Sequence, residues 1–137
     1  MSAWKRVALE KLPEYRRVID TAERPMALWR ELHLKFEEVY HADIPDDDLI
    51  RRFYEYAAWC LESPGEGRYL SDAGTAVVHA FYEHLPQHGV IRRDMPRWLS
   101  REDFLGLREA FRYHLSGEQF AAFEAEFLDR AKKGVRK

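Results

Sequence analysis

The sequence predicts an all-α fold, a compact bundle of about six helices that mixes orthogonal with antiparallel packing. Three observations carry this reading. Apolar residues recur at three- and four-residue steps along most of the 137 residues. Two capping-box patterns open helices in the last third of the chain. Gly and Pro are sparse, at 7 and 6, aromatics reach 14%, and no segment keeps a strand period. Short links and unequal helix lengths argue against a simple up-down four-helix bundle, and a short α-solenoid-like stack is the architectural alternative. One helical domain is expected over 1–137, with residues 1–20 peripheral and 130–137 forming a basic, frayed tail.

The elements follow in order. Residues 9–23 read as one or two short helical turns, with Pro13 where a first-turn proline is tolerated. Pro25 opens a stronger helix to about Tyr40, with Met26, Trp29, Leu32, Phe36 and Val39 on one stripe. Pro45 opens the next, and Asp46, Asp47 and Asp48 complement its dipole. Leu49, Ile50, Phe53, Ala57, Cys60 and Leu61 give that helix a wide apolar face, and Ser63 to Gly67 ends it in a loop. Ser71 or Asp72 can cap a helix to about Leu85 that carries Ala73, Val77, Ala80 and Phe81. Pro86 to Pro96 reads as a connection. Ser100 to Asp103 and Ser116 to Gln119 are the capping boxes, and the two helices they open turn sharply into an αα-hairpin. Phe104, Leu107, Phe111 and Leu115 stripe the first; Phe120, Phe123, Phe127 and Ala131 stripe the second.

Charge excludes some functions. With 22 basic and 24 acidic residues, net charge is -2, so no field over the whole surface draws in nucleic acid or membrane. No apolar run approaches the ~18–20 residues that span a bilayer. No apolar h-region follows Met1, so a signal peptide is not expected. Cys60 is the single cysteine, which rules out an internal disulfide, fits a cytoplasmic location and reads as a buried small hydrophobe.

Catalytic patterns are sparse. His33, Glu37 and His41 share one helical side, and Glu38 to His41 has the Glu-x-x-His spacing of two-metal bundles, but a second such motif is missing. His79, Glu83 and His84 resemble a zinc signature one residue too long. On a helix His79 and His84 would diverge, leaving His79 and Glu83 as polar neighbours. No metal or other cofactor is expected. His84 and His114 are the more informative pair, because both aim at apolar faces and a buried imidazole needs partners. They are either satisfied core histidines or the edge of a shared pocket, with Trp98 and Tyr113 as its further candidates. Arg92, Arg93 and Arg97, interleaved with Trp98, are the candidate anion contacts, against an Asp94–Arg ion pair that locks the loop.

Four blocks together resemble an uncharacterised family of small bacterial helical proteins. They are Leu49 to Leu61, Thr75 to Pro86, Ile91 to Ser100 and Phe111 to Ser116. The resemblance covers roughly residues 25 to 128, and its most specific parts are Ala58-Trp59-Cys60 and Phe81-Tyr-Glu-His-Leu-Pro86. It implies bacterial origin and an all-helical domain. The family has no established activity, so no site residue is carried over.

The favoured function is a non-catalytic cytoplasmic binding protein with another protein as partner, in the manner of toxin-neutralising modules. An acid/base or metal-dependent enzyme using His84 and His114 is the alternative. Nucleic-acid binding through Arg92, Arg93, Arg97 and Arg101 is a third reading, one that requires affinity to fall steeply with salt. Six rings, Tyr54, Tyr56, Trp59, Tyr82, Trp98 and Tyr113, lie off or beside the stripes. They either belong to a bundle wrapped on several sides or line a groove or interface.

Overall fold

The computed structural model describes residues 2–63 and 72–135, with side chains to 132. These residues are all-helical: nine α-helices and three 3-10 turns, with no strand among them. The helices are α1 (Ala3–Lys11), α2 (Arg16–Thr21), α3 (Pro25–Tyr40), α4 (Asp47–Glu62), α5 (Ala73–Ala80), α6 (Gly89–Asp94), α7 (Arg101–Gly106), α8 (Arg108–Arg112) and α9 (Gly117–Val135). They fall into two compact units, Met1–Phe81 and Tyr82–Lys137. Of the expected loop after α4, Pro64 to Gly67 lie outside the described residues, as does Ser71, the alternative cap of α5.

In the first unit, α3 and α5 pack on each other and on α4. The stripe of α3 buries Trp29, Leu32 and Phe36 completely. Trp29 stacks on Tyr56 at 5.3 Å and meets Phe81 at 4.8 Å, while Phe36 contacts Phe53, Tyr54 and Phe81 edge-on. Such rings combine large apolar area with a preferred tilt, so they dominate this core. Asp46 caps α4 by accepting from the Leu49 N–H, and Asp72 caps α5 through Gly74 and Thr75. Cys60 is buried and accepts the Trp29 indole N–H at 3.4 Å. Burial pushes its thiol up to about 11.

Residues 1–20 are integral to this unit rather than peripheral. Ala8, Leu12 and Ile19 are fully buried, and α1 lies against α4. The Tyr56 hydroxyl donates to the Trp4 carbonyl at 2.9 Å. Arg52 donates to the Lys11 carbonyl at 2.8 Å, to both Glu14 oxygens and to Asp48. A guanidinium has enough donors to hold three groups at once.

The expected six helices become nine because three further α-helices arise within segments read as continuous or as loop, and a fourth boundary falls at Ala80. Leu12 and Pro13 separate α1 from α2. The helix expected to reach Leu85 ends at Ala80, and Tyr82–Gln87 is a 3-10 turn. Pro86 disfavours α-helical Leu85 and has no N–H to donate, so the tighter winding replaces the last α-turn. The expected connection 86–96 holds α6 and a 3-10 turn at Met95–Arg97. Gly106, a poor helix former, ends α7, and Leu107 leaves helical geometry before α8.

In the second unit, both capping boxes are formed. Ser100 and Asp103 exchange bonds at 2.9 and 3.0 Å, and Ser116 and Gln119 do so at 2.9 and 3.1 Å. The short link at Ser116 folds α9 back on α7 and α8. Phe104 lies at the centre, against Phe111, Phe120, Phe123 and Phe127. Arg108 bonds Glu124 through two nitrogens, tying α8 to α9 outside this ring cluster and holding the Glu124 carboxyl below its usual range. The helix α9 continues to Val135 through most of the expected tail; Arg136 and Lys137 lie outside the described residues.

Candidate functional site

The second unit contains an open cleft of about 460 Å³. The 3-10 turn Tyr82–Gln87 supplies Pro86 and Gln87, and α6 supplies Arg92. The turn after α8 supplies His114 and Leu115. The helix α9 supplies Gln119, Ala122, Phe123 and Glu126, at three- and four-residue steps that put them on one face. The lining therefore combines an apolar floor with a cation, an anion, an imidazole and two amides.

His114 is held from two sides. Its Nε2 lies 3.4 Å from Glu83 Oε1, whose side chain is 6% exposed while that of His114 is 30% exposed. A carboxylate so enclosed needs a polar partner, and the imidazole supplies one. The His84 ring stacks on His114 with centroids 4.8 Å apart and 20° between planes. The His84 Nδ1 in turn contacts Gln87 Oε1 at 3.0 Å. Carboxylate, imidazole, imidazole and amide thus form one contiguous polar series beside the cleft.

This series follows from the break at Ala80. On a continued helix Glu83 would face the polar side beside His79. The 3-10 winding changes its direction, and Glu83 is 5% exposed. Helical periodicity assumed the wrong pitch at this point and therefore missed Glu83 as the partner of His114.

The two stacked imidazoles do not form a chelate. Ring nitrogen lone pairs lie in the ring plane, and nearly parallel rings aim them side by side rather than at one point. Among the described residues no three His, Cys, Asp or Glu side chains gather as a metal site. On α3, His33 Nε2 faces Glu37 at 3.7 Å as an i,i+4 pair.

The other candidates take separate places. Trp98 does not line the cleft; its indole N–H donates to Asp94 at 3.0 Å and the Arg97 guanidinium lies 4.9 Å over its ring. Arg97 also donates to Asp94 at 2.9 Å, the ion pair expected to lock this loop. Tyr113 is 69% exposed and meets the His114 ring edge-on at 4.9 Å, outside the lining. Arg92 is in the wall, with Nη1 donating to the Pro86 carbonyl at 3.1 Å. Arg93 is exposed next to it. Of the six unplaced rings, Tyr54, Tyr56 and Tyr82 are buried, so half of that group is core.

The contribution of α9 was missed from the sequence. Phe123 belongs to the core stripe and is buried, Gln119 reads only as the end of a capping box, and Ala122 and Glu126 carry no motif. Their common spacing was the one available signal.

Comparison with protein-family models, with curated proteins and with solved structures finds no match to this chain. No helix among the described residues is long and apolar enough to cross a membrane.

Proposed function

We propose that this is a binding protein and that a small organic ligand, or a side chain of a peptide partner, enters the cleft of the second unit. The observation that carries the reading is the cleft at His114. Its volume of about 460 Å³ lies within the ~300–1,000 Å³ range of small-molecule sites. Leu115, Ala122 and Phe123 supply apolar contact, while Arg92, His114, Gln119 and Glu126 supply orientation. Two lining elements are braced, α9 by its capping box and α6 by the Arg92 bond to Pro86, which lowers the ordering cost of binding. A cytoplasmic location and a peptide or protein partner belong to the same proposal.

The test is a thermal-shift screen of small polar aromatics on wild-type protein and on Ala122→Trp. Ala122 is exposed on the cleft wall, so the larger ring fills the cleft without entering the phenylalanine core. Compounds that raise the melting temperature of wild type and not of Ala122→Trp support the proposal. Equal shifts in both proteins, or none, contradict it.

A second reading, acid/base catalysis, is favoured by the Glu83–His114 contact alone. A buried carboxylate that orients an imidazole at a cleft is the arrangement of a general base. Turnover lost in His114→Asn with ligand binding retained distinguishes this reading from simple binding.

A further inference from the structure

Beside the cleft, two cations converge on one glycine. A β-carbon placed on Gly89 would stand 3.3 Å from Arg93 Nη1 and 3.8 Å from Arg92 Nη2. The two nitrogens are therefore at most about 7 Å apart, a span that one oxyanion bridges with an N–H···O bond on each side. Arg93 is exposed and Arg92 half-exposed, so in water their mutual repulsion is below about 1 kcal/mol, and an oxyanion between them would convert it to attraction on both sides.

Among the described residues, that anion is not supplied at ion-pair distance. Arg97, Arg108, Arg112 and Arg130 each have a carboxylate within 4 Å. Among the described residues no carboxylate stands at that distance from Arg92 or Arg93. The side chain of Arg92 is held by a neutral carbonyl, that of Pro86. The scaffold below them is fixed, because the Arg93 carbonyl accepts from Arg130 Nη1 at 2.8 Å, tying α6 to α9. Glycine at position 89 leaves open the notch on which both guanidiniums close.

We propose that Arg92 and Arg93 form an oxyanion clamp at the Gly89 edge of the cleft, so that the ligand of the second unit carries a carboxylate or a phosphate. Arg92 belongs to both features, lining the cleft and facing the notch. Guanidinium is suited to this role because its planar fork matches both oxyanions and keeps its charge at every physiological pH. The ligand class rests on the cleft reading, whereas the clamp itself does not.

The experiment is an NMR titration of the full chain with inorganic phosphate and, separately, with acetate, in an anion-poor buffer. Saturable shifts of the Gly89 amide and of the Arg92 and Arg93 Nε–H signals are expected. The anion that saturates at lower concentration identifies the preferred head group. Arg93→Gln, at an exposed position, is expected to weaken binding by about tenfold. Absence of saturable shifts with both anions, or equal affinity in Arg93→Gln, overturns the clamp. Ala122→Trp separates the two proposals: anion binding that survives there while neutral ligands fail in wild type retains the clamp and rejects the cleft.

Discussion

His114 Nε2 lies 3.4 Å from Glu83 Oε1, joining the 3-10 turn that precedes α6 to the turn that follows α8. The contact places a nearly enclosed carboxylate behind the one imidazole that lines the cleft. It also fixes the direction of a residue at a position where the backbone is not helical.

Replacing Glu83 tests whether this contact holds the turn. Glu83→Ala removes the polar contact to His114, whose imidazole stays in reach of water, and is expected to cost about 1 kcal/mol. Glu83→Gln keeps an oxygen facing His114 and is expected to cost less. Urea denaturation of the two variants checks the order, and equal losses would mean that packing, not the polar contact, determines the stability here.

Phe104 is the hub of the second unit, fully buried among four other phenylalanines. Phe104→Ala leaves a cavity that neighbouring rings fill only in part, at an expected cost of about 3–5 kcal/mol. A denaturant midpoint that falls with an unchanged slope gives that value. A change below about 1 kcal/mol would show that the cluster repacks freely.

Most of the helical core was legible in the sequence, because side chains at three- and four-residue steps have one way to be buried together. Trp29, Leu32 and Phe36 needed no tertiary information, and neither did the two capping boxes, whose partners lie three residues apart. The boundaries near Ala80 and Gly106 were not legible. Periodicity continues through a break whenever the residues beyond it are also apolar, as Leu85, Leu107 and Phe111 are. The site was half legible. His84 and His114 stood out as polar residues on apolar faces, and their rings do stack. Arg92 stood out as a candidate anion contact, and it lines the cleft. Glu83 as the partner of His114 depended on the 3-10 winding, and the wall from α9 on contacts across the second unit, which spacing cannot report.

The Cys60 thiol is expected to be inert in the folded protein. It is buried, its ionisation is pushed up to about 11, and the nucleophile in disulfide exchange is the thiolate. A colourimetric disulfide reagent at pH 8 should label it only after unfolding. Rapid labelling of native protein would mean that α4 opens locally at this point.

Acid should act through Arg52. Its side chain donates to Glu14 and holds that carboxyl below its ordinary value of 4.5. A carboxyl lowered in the folded state contributes stability above its unfolded value and loses it as pH falls through the folded one. The melting temperature of wild type should therefore drop below about pH 4.5, and the slope in that window should be shallower in Arg52→Gln. At pH 7 the variant is expected to be less stable by about 1 kcal/mol. Identical pH profiles would show that other carboxylates control acid unfolding.

Where a ligand lands on the chain decides whether the cleft of the second unit is a binding site. Amide shifts should be mapped for the strongest compound from the thermal screen, on the isotope-labelled 137-residue chain. The expected result is saturable shifts at Gln87, His114, Leu115, Ala122 and Phe123, with a common dissociation constant that is lost in Ala122→Trp. Shifts confined to the first unit, or unchanged in Ala122→Trp, would contradict the assignment of the cleft as the binding site.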